Sequence, residues 1–159
     1  MTYTGSSPHG RRLADGVHAF GTLREGDWYE TPSLAVTAAH IDTFAELTGD
    51  RFEIHMTDDA ARMHGFSGRV AHGLLVQSLV DGLKNQSTVT FRAIASLGWT
   101  WRFTGPVHIG DTISATIRLA GKRTTSGSGR GILFLDFEVR NQDGLIVQAG
   151  ENQLLVSLD

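Results

Sequence analysis

Asp50, Glu53, His55, Asp58, Asp59, His64 and His72 lie within a single stretch of 23 residues, the densest group of ionisable side chains in the chain. Asp50 and His55 carry the most direct chemical reading. A carboxylate beside an imidazole can activate one water and return one proton, and loop residues held by a rigid scaffold commonly do such work. The same spacing also suits a helix-capping Asp and a half-buried loop His, and spacing alone does not separate the two readings. A second clue is Ala71-His72-Gly73, directly before an apolar run. A glycine at a helix start offers a backbone N–H near the positive end of the helix with no side chain in the way, which suits an oxyanion or a polarised carbonyl. It equally permits close packing against a sheet.

Other chemistries find less support. The chain has no Cys, which excludes thiolate metal sites, iron–sulfur clusters, disulfides and cysteine nucleophiles. His40, His55, His64 and His72 show no H-E-x-x-H or comparable close spacing, so no metal site is expected. No G-x-S-x-G elbow is present. Gly127 to Gly131 precedes a strand pattern and not a helix, which argues against a phosphate cradle. Lys122, Arg123 and Arg130 flank that loop and read either as a solvated hairpin end or as partners for phosphate.

The elements that must position these residues follow from hydrophobic spacing. Leu34 to Thr37 reads as extended. Ile41, Phe44, Ala45 and Thr48 then recur at helical intervals, with Thr37 placed to cap the start and Gly49 to end the helix in a left-handed conformation. Asp50 to Met56 reads as an irregular link, and Asp58 to Met63 as a short helix terminated by Gly65. From Ala71 to Leu83 apolar residues cover much of a helix circumference, which predicts a buried helix. Everything beyond has period two: Leu97, Trp99, Trp101 and Phe103; Ile113 to Leu119; Leu133 to Val139. Asn141 to Gly144 is a turn leading into 145–149 and 154–158, with Gly150 as a candidate bulge. Helices early and antiparallel strands late predict an α+β fold with a sheet wrapped round the buried helix, and exclude a doubly wound nucleotide-binding sheet.

Composition sets the frame. The chain has 159 residues, 40% apolar and 19% charged, with a net charge of −3, which fits one globular domain and gives no electrostatic footprint for nucleic acid. The apolar run from Val70 to Val80 is about half a bilayer span and contains His72 and Gln77, so no membrane span is expected. Residues 1–16 are polar, without a signal-like apolar stretch, and read as a flexible N-terminal arm before a single domain over 17–159. The expected setting is the cytoplasm.

Taken together, Phe44 to Asp50 (F-A-E-L-T-G-D), His55, and Gly65 to Leu75 (G-F-S-G-R-V-A-H-G-L-L) resemble the MaoC-like dehydratase family, the (R)-specific enoyl-CoA hydratases. Trp101 to Ile113 and Val139 to Gly144 are similar to the same family's strand segments. The resemblance implies a hot-dog fold, assembly as a homodimer or a multiple of dimers, and hydration or dehydration at the 2,3 bond of acyl thioesters. On that basis Asp50 and His55 match the catalytic acid–base pair. Gly73 matches the glycine whose N–H holds the thioester carbonyl. Phe52, Ala71, His72 and Trp99 are the expected substrate contacts. The partner is an acyl-CoA or acyl-carrier thioester. No cofactor is expected, since coenzyme A enters as part of the substrate.

One departure stands out. The family motif reads Asp, any residue, Asn, Pro, any residue, His, whereas this chain has Phe52 in place of Asn and Glu53 in place of Pro. The loss of the Asn amide makes the pocket more apolar. Two other readings keep the fold: an acyl-CoA thioesterase, and a non-catalytic acyl-binding partner in a larger hot-dog assembly.

Overall fold

A computed structural model describes residues 9–127 and 129–159. Thr37 starts α1 (Ala38–Thr48) as its spacing predicts: its hydroxyl accepts from the His40 amide, and His40 Nδ1 accepts from the Thr37 amide, a reciprocal box that satisfies two orphan donors. Gly49, at φ 77°, closes the helix in the left-handed region, so the chain turns sharply into Asp50. The expected irregular link holds one further helical turn, α2 (Glu53–Met56). Its stop and the start of α3 (Asp58–Met63) are both set by Thr57, whose hydroxyl accepts from the Ala60 amide. The link contains no glycine after Gly49, and local i→i−4 bonding was available to it; periodicity misses a single turn because it spans less than one apolar repeat.

The strands are β1 (Gly16–His18), β2 (Trp28–Glu30), β3 (Leu34–Ala35), β4 (Val89–Phe91), β5 (Ala93–Phe103), β6 (Thr112–Thr124), β7 (Arg130–Arg140) and β8 (Ile146–Ser157). The main sheet is antiparallel in the order β2-β6-β7-β8-β5, with β3 also paired to β6, while β1 and β4 form a separate parallel pair. Alternate residues of the long strands turn inward: Ile113, Ala115, Ile117 and Leu119 from β6, and Leu133, Leu135, Phe137 and Val139 from β7, all buried. They meet Leu75, Val76, Val80 and Leu83 of α4 (Gly73–Asn85) in one core. This is the hot-dog arrangement, an antiparallel sheet curled round one helix.

Two expectations change in detail. The central helix is buried on the face that meets the sheet, but Leu74 on another face is 59% exposed, because the sheet covers one side of it. No bulge falls at Gly150, which pairs in register with Trp101 and Phe137. The glycine is there for close approach: a Cβ at this position would overlap the Thr100 carbonyl and the Trp101 ring. The irregularities fall instead in β5, between Ala93 and Ala95 and between Ser96 and Gly98, in β6 between Leu119 and Gly121, and near the start of β8, where Val147 is passed over between the partners of Arg140 and Val139.

The first eight residues of the expected arm lie outside the described residues. From His9 onward the segment contacts the body: Leu13 is buried, and Arg11 makes an ion pair of 2.7 Å with Asp27, itself 2% exposed and bonded to the Arg24 amide. Among the described residues no helix is long and apolar enough to cross a membrane.

Because Gly150 has no room for a methyl group, Gly150→Ala should cost about 1–3 kcal/mol of stability, the usual range for overpacking. Equilibrium denaturation of the two proteins side by side measures it, and an unchanged midpoint would show that β5 and β8 can separate freely.

Candidate active site

The α1–α2 link, α2 and the N-terminus of α4 surround one cleft of about 570 Å³. Asp50, His55, Ala71, His72 and Gly73 line it, together with Phe66, Phe103 and Gln148. The fold brings five of the seven candidate residues around a single cavity. The polar atoms of Asp50, His55 and His72 lie within 4.8 Å of one another.

His55 is held by the segment that leads into α4. Its Nδ1 lies 2.7 Å from the Val70 carbonyl oxygen. A carbonyl only accepts, so the proton sits on Nδ1 and Nε2 is left as the basic nitrogen. Val70 also donates its amide to the Ile54 carbonyl, and Ala71 donates to the Val107 carbonyl at 2.7 Å, so this segment is tied on both sides. Burial pushes the His55 imidazole below its ordinary value, and the adjoining His72 adds to this; the Val70 carbonyl and Asp50 work in the opposite direction. The net result is a ring that stays neutral, and hence able to take a proton, to lower pH than a free His.

Asp50 is exposed and follows the left-handed Gly49. Its amide donates to the Thr48 hydroxyl, and its Oδ1 accepts from the Phe52 amide at 3.2 Å. Its main-chain carbonyl accepts from His72 Nε2 at 2.8 Å. The His72 ring is 2% exposed and stacks on His55, with centroids 3.9 Å apart and planes at 28°, while Phe44 packs on it at 4.8 Å. Gly73 opens α4, so its N–H falls among the first-turn donors that have no acceptor within the helix. The close-packing reading of this glycine holds, because a Cβ there would overlap the Phe103 ring.

The two remaining candidates stand elsewhere. Trp99 packs on Trp101 and Phe137, at 5.4 and 5.2 Å, away from the cleft. Phe103, farther along the same strand, supplies the aromatic wall instead, because the bulges in β5 and the curl of the sheet leave only its end beside α4. The Phe52 side chain is 56% exposed and lies outside the cleft lining, its ring 6.1 Å from that of His55. Its amide, bonded to Asp50, is what serves the site.

Sequence patterning does not reveal two supporting residues. Arg69 donates through Nε to the His55 carbonyl at 2.8 Å and reaches Asp42 of α1 through its guanidinium, while its amide donates to Asp58. Gln148, 2% exposed, accepts from Trp101 Nε1 at 2.8 Å and donates to the Gly73 carbonyl at 2.9 Å. A Gln at an inward position of β8 was the one available signal. Asp50, His55 and His72 are also the residues that could hold a cation. In this structure His55 Nδ1 and His72 Nε2 already meet the Val70 and Asp50 carbonyls.

The chain belongs to the MaoC-like domain family, which matches residues 20–132. Protein MaoC of Klebsiella aerogenes is 40% identical over 107 residues, 67% of this chain and 31% of that protein. An (R)-specific enoyl-CoA hydratase of Rhodospirillum rubrum is 32% identical over 107 residues, 66% of this chain and 72% of the hydratase. Among solved structures, a monoamine oxidase regulatory protein from Archaeoglobus superposes with a TM-score of 0.80 at 30% identity, covering 94% of this chain and 97% of the other. The chain thus corresponds to 31% of the length of the Klebsiella relative and to most of the smaller ones.

The His55 tautomer and charge state can be read without substrate. Nitrogen-15 NMR should show the proton on Nδ1 and a titration midpoint below the ordinary value of about 6.5. A midpoint above it would mean that burial does not outweigh the Val70 and Asp50 contributions, and a proton on Nε2 would mean that the Val70 contact does not hold in solution.

Proposed function

We propose that this chain catalyses the reversible addition of water to 2-enoyl thioesters. The observation that carries this reading is that Asp50, His55 and Gly73, the first residue of α4, line one largely apolar cleft. The kinship with a protein named an (R)-specific enoyl-CoA hydratase supports it. Water held by Asp50 and His55 Nε2 loses a proton to the pair as its oxygen bonds to C3 of the substrate. The C2–C3 π electrons move toward the thioester, and negative charge collects on the carbonyl oxygen. A fixed N–H at the positive end of α4 stabilises that charge most where it is greatest, in the transition state. The pair then returns a proton to C2 on the same face, which restores the carbonyl and leaves a 3-hydroxyacyl thioester. Dehydration runs the same steps in reverse. Coenzyme A or an acyl carrier enters as part of the substrate, and no separate cofactor takes part.

The cleft suits this chemistry in a further way. Phe66, Val70, Leu74, Val76 and Phe103 supply apolar walls for an acyl chain, and burial of His55 favours the neutral ring that must accept the proton. The missing Asn of the family motif leaves the water with two side-chain partners, which with the substrate still meets the usual complement of a bound water.

Asp50→Ala and His55→Ala should each lower turnover on 2-enoyl-CoA by on the order of 10²- to 10⁴-fold with little loss of folding. The double variant should fall well short of the product of the two effects, since both act on one water. Loss of the conjugated thioester absorbance measures it. Full activity in either single variant sinks the assignment, and release of free thiol in place of a 3-hydroxyacyl product would make the protein a thioesterase.

The assembly follows from the sheet. β5 pairs with β8 on one side only, is exposed along most of its length, and carries Ile94 and Leu97, 47% and 51% exposed. A long apolar edge is commonly paired or covered, and a twofold mate does both. Sedimentation should show a dimer or a multiple of it, and Leu97→Lys should shift the equilibrium toward monomer. A wild-type monomer at micromolar concentration would contradict the reading.

A further inference from the structure

The mechanism above leaves unused the most buried ionisable ring at the site. His72 is 2% exposed, and its two nitrogens are differently placed. Nε2 donates to the Asp50 carbonyl, and Nδ1 is buried without a hydrogen-bond partner. Neither atom is free to exchange a proton with a substrate in the cleft, so the ring acts through its neighbours.

What it does to them differs. His55 has ties of its own: Val70 accepts from its ring, and Arg69 binds its carbonyl. Asp50 does not. Its other hydrogen bonds, to the Thr48 hydroxyl and from the Phe52 amide, are local, each spanning two residues. The bond from His72, 22 residues away, is its long-range link to the body of the protein. The preceding Gly49 donates its own amide to the Ala45 carbonyl of α1 at 2.9 Å, again a local bond.

We propose that His72 is the positioning residue of this site, fixing the Asp50 main chain through Nε2–H and the His55 ring by stacking, in register with its chain neighbour Gly73. The proposal rests on the reading of Asp50 and His55 as the acid–base pair. A histidine meets both demands because it presents a flat face and, at the edge of the same ring, a single N–H. Phenylalanine keeps the face and loses the donor. Glutamine keeps a donor near the Nε2 position and loses the face. As the cap residue of α4, His72 also fixes by covalent geometry where the Gly73 N–H stands relative to the pair it holds.

The two substitutions separate the roles. In His72→Phe, kcat per folded molecule for 2-enoyl-CoA hydration should fall by on the order of 10²-fold, the scale of a small misplacement of a catalytic group, with KM little changed. Amide hydrogen exchange over residues 50–52 should quicken in the substrate-free protein, while the NMR signature of the His55 tautomer persists. In His72→Gln the exchange at 50–52 should return toward wild type and part of kcat with it. Circular dichroism and thermal melting give the folded fraction for each variant. A purely structural role would lower the melting temperature and leave kcat per folded molecule unchanged, and that result overturns the proposal, as does unchanged exchange in His72→Phe. A wild-type protein that hydrates no 2-enoyl thioester overturns the underlying reading instead, and the exchange measurement then still decides whether His72 holds Asp50.

Discussion

The carbonyl of Val70 can only accept a hydrogen bond, and much of the site follows from that constraint. It takes the Nδ1 proton of His55 and so fixes which nitrogen is basic. It can do so because the segment around it is clamped: Val70 donates to Ile54, Ala71 donates to Val107 beside the sheet, and Arg69 spans α1, α2 and α3 with its guanidinium and amide. A short extended run between two helical pieces thus carries the geometry that an acid–base pair needs. The next two residues turn that run into the start of α4.

Packing sets the other coordinate. The apolar face of α4 lies against the inward residues of β6, β7 and β8, which fixes the helix axis relative to the sheet. At its N-terminus the Phe103 ring closes on Gly73, and Gln148 links the Gly73 carbonyl to Trp101. The helix start is therefore held by shape and by hydrogen bonds together. A donor fixed in this way needs no reorganisation when charge appears on a substrate oxygen, which is where such donors are most effective.

The departure at Phe52 and Glu53 takes on a definite form in the fold. Phe52 directs its ring to the exposed side, near His55 and His64, and Glu53 pairs with His64 at 2.5 Å on the same outer surface. Neither side chain enters the cleft lining, while the Phe52 amide keeps its bond to Asp50. The backbone turn that presents Asp50 survives the substitution because it depends on an amide N–H, which every residue except proline possesses.

Local patterns in the sequence determine the elements and most of the site. Thr37 and Gly49 bound α1 by capping chemistry, period two marks the three long strands, and Asp50, His55 and Gly73 stand out as candidates by type and spacing; each is a property of neighbouring residues, so it is legible without the fold. Tertiary structure alone decides what those residues face. Gly150 reads as a bulge until β5 is laid over it, Trp99 and Phe103 look equivalent until the curled sheet leaves only the end of β5 beside α4, and the packing of the His72 ring between Phe44 and His55 is set only by the fold. Arg69 and Gln148 give little or no signal in the sequence, because their roles are hydrogen bonds to backbone groups brought near only by folding. Backbone acceptors are the same at every position, so a sequence cannot mark which of them a distant side chain will meet.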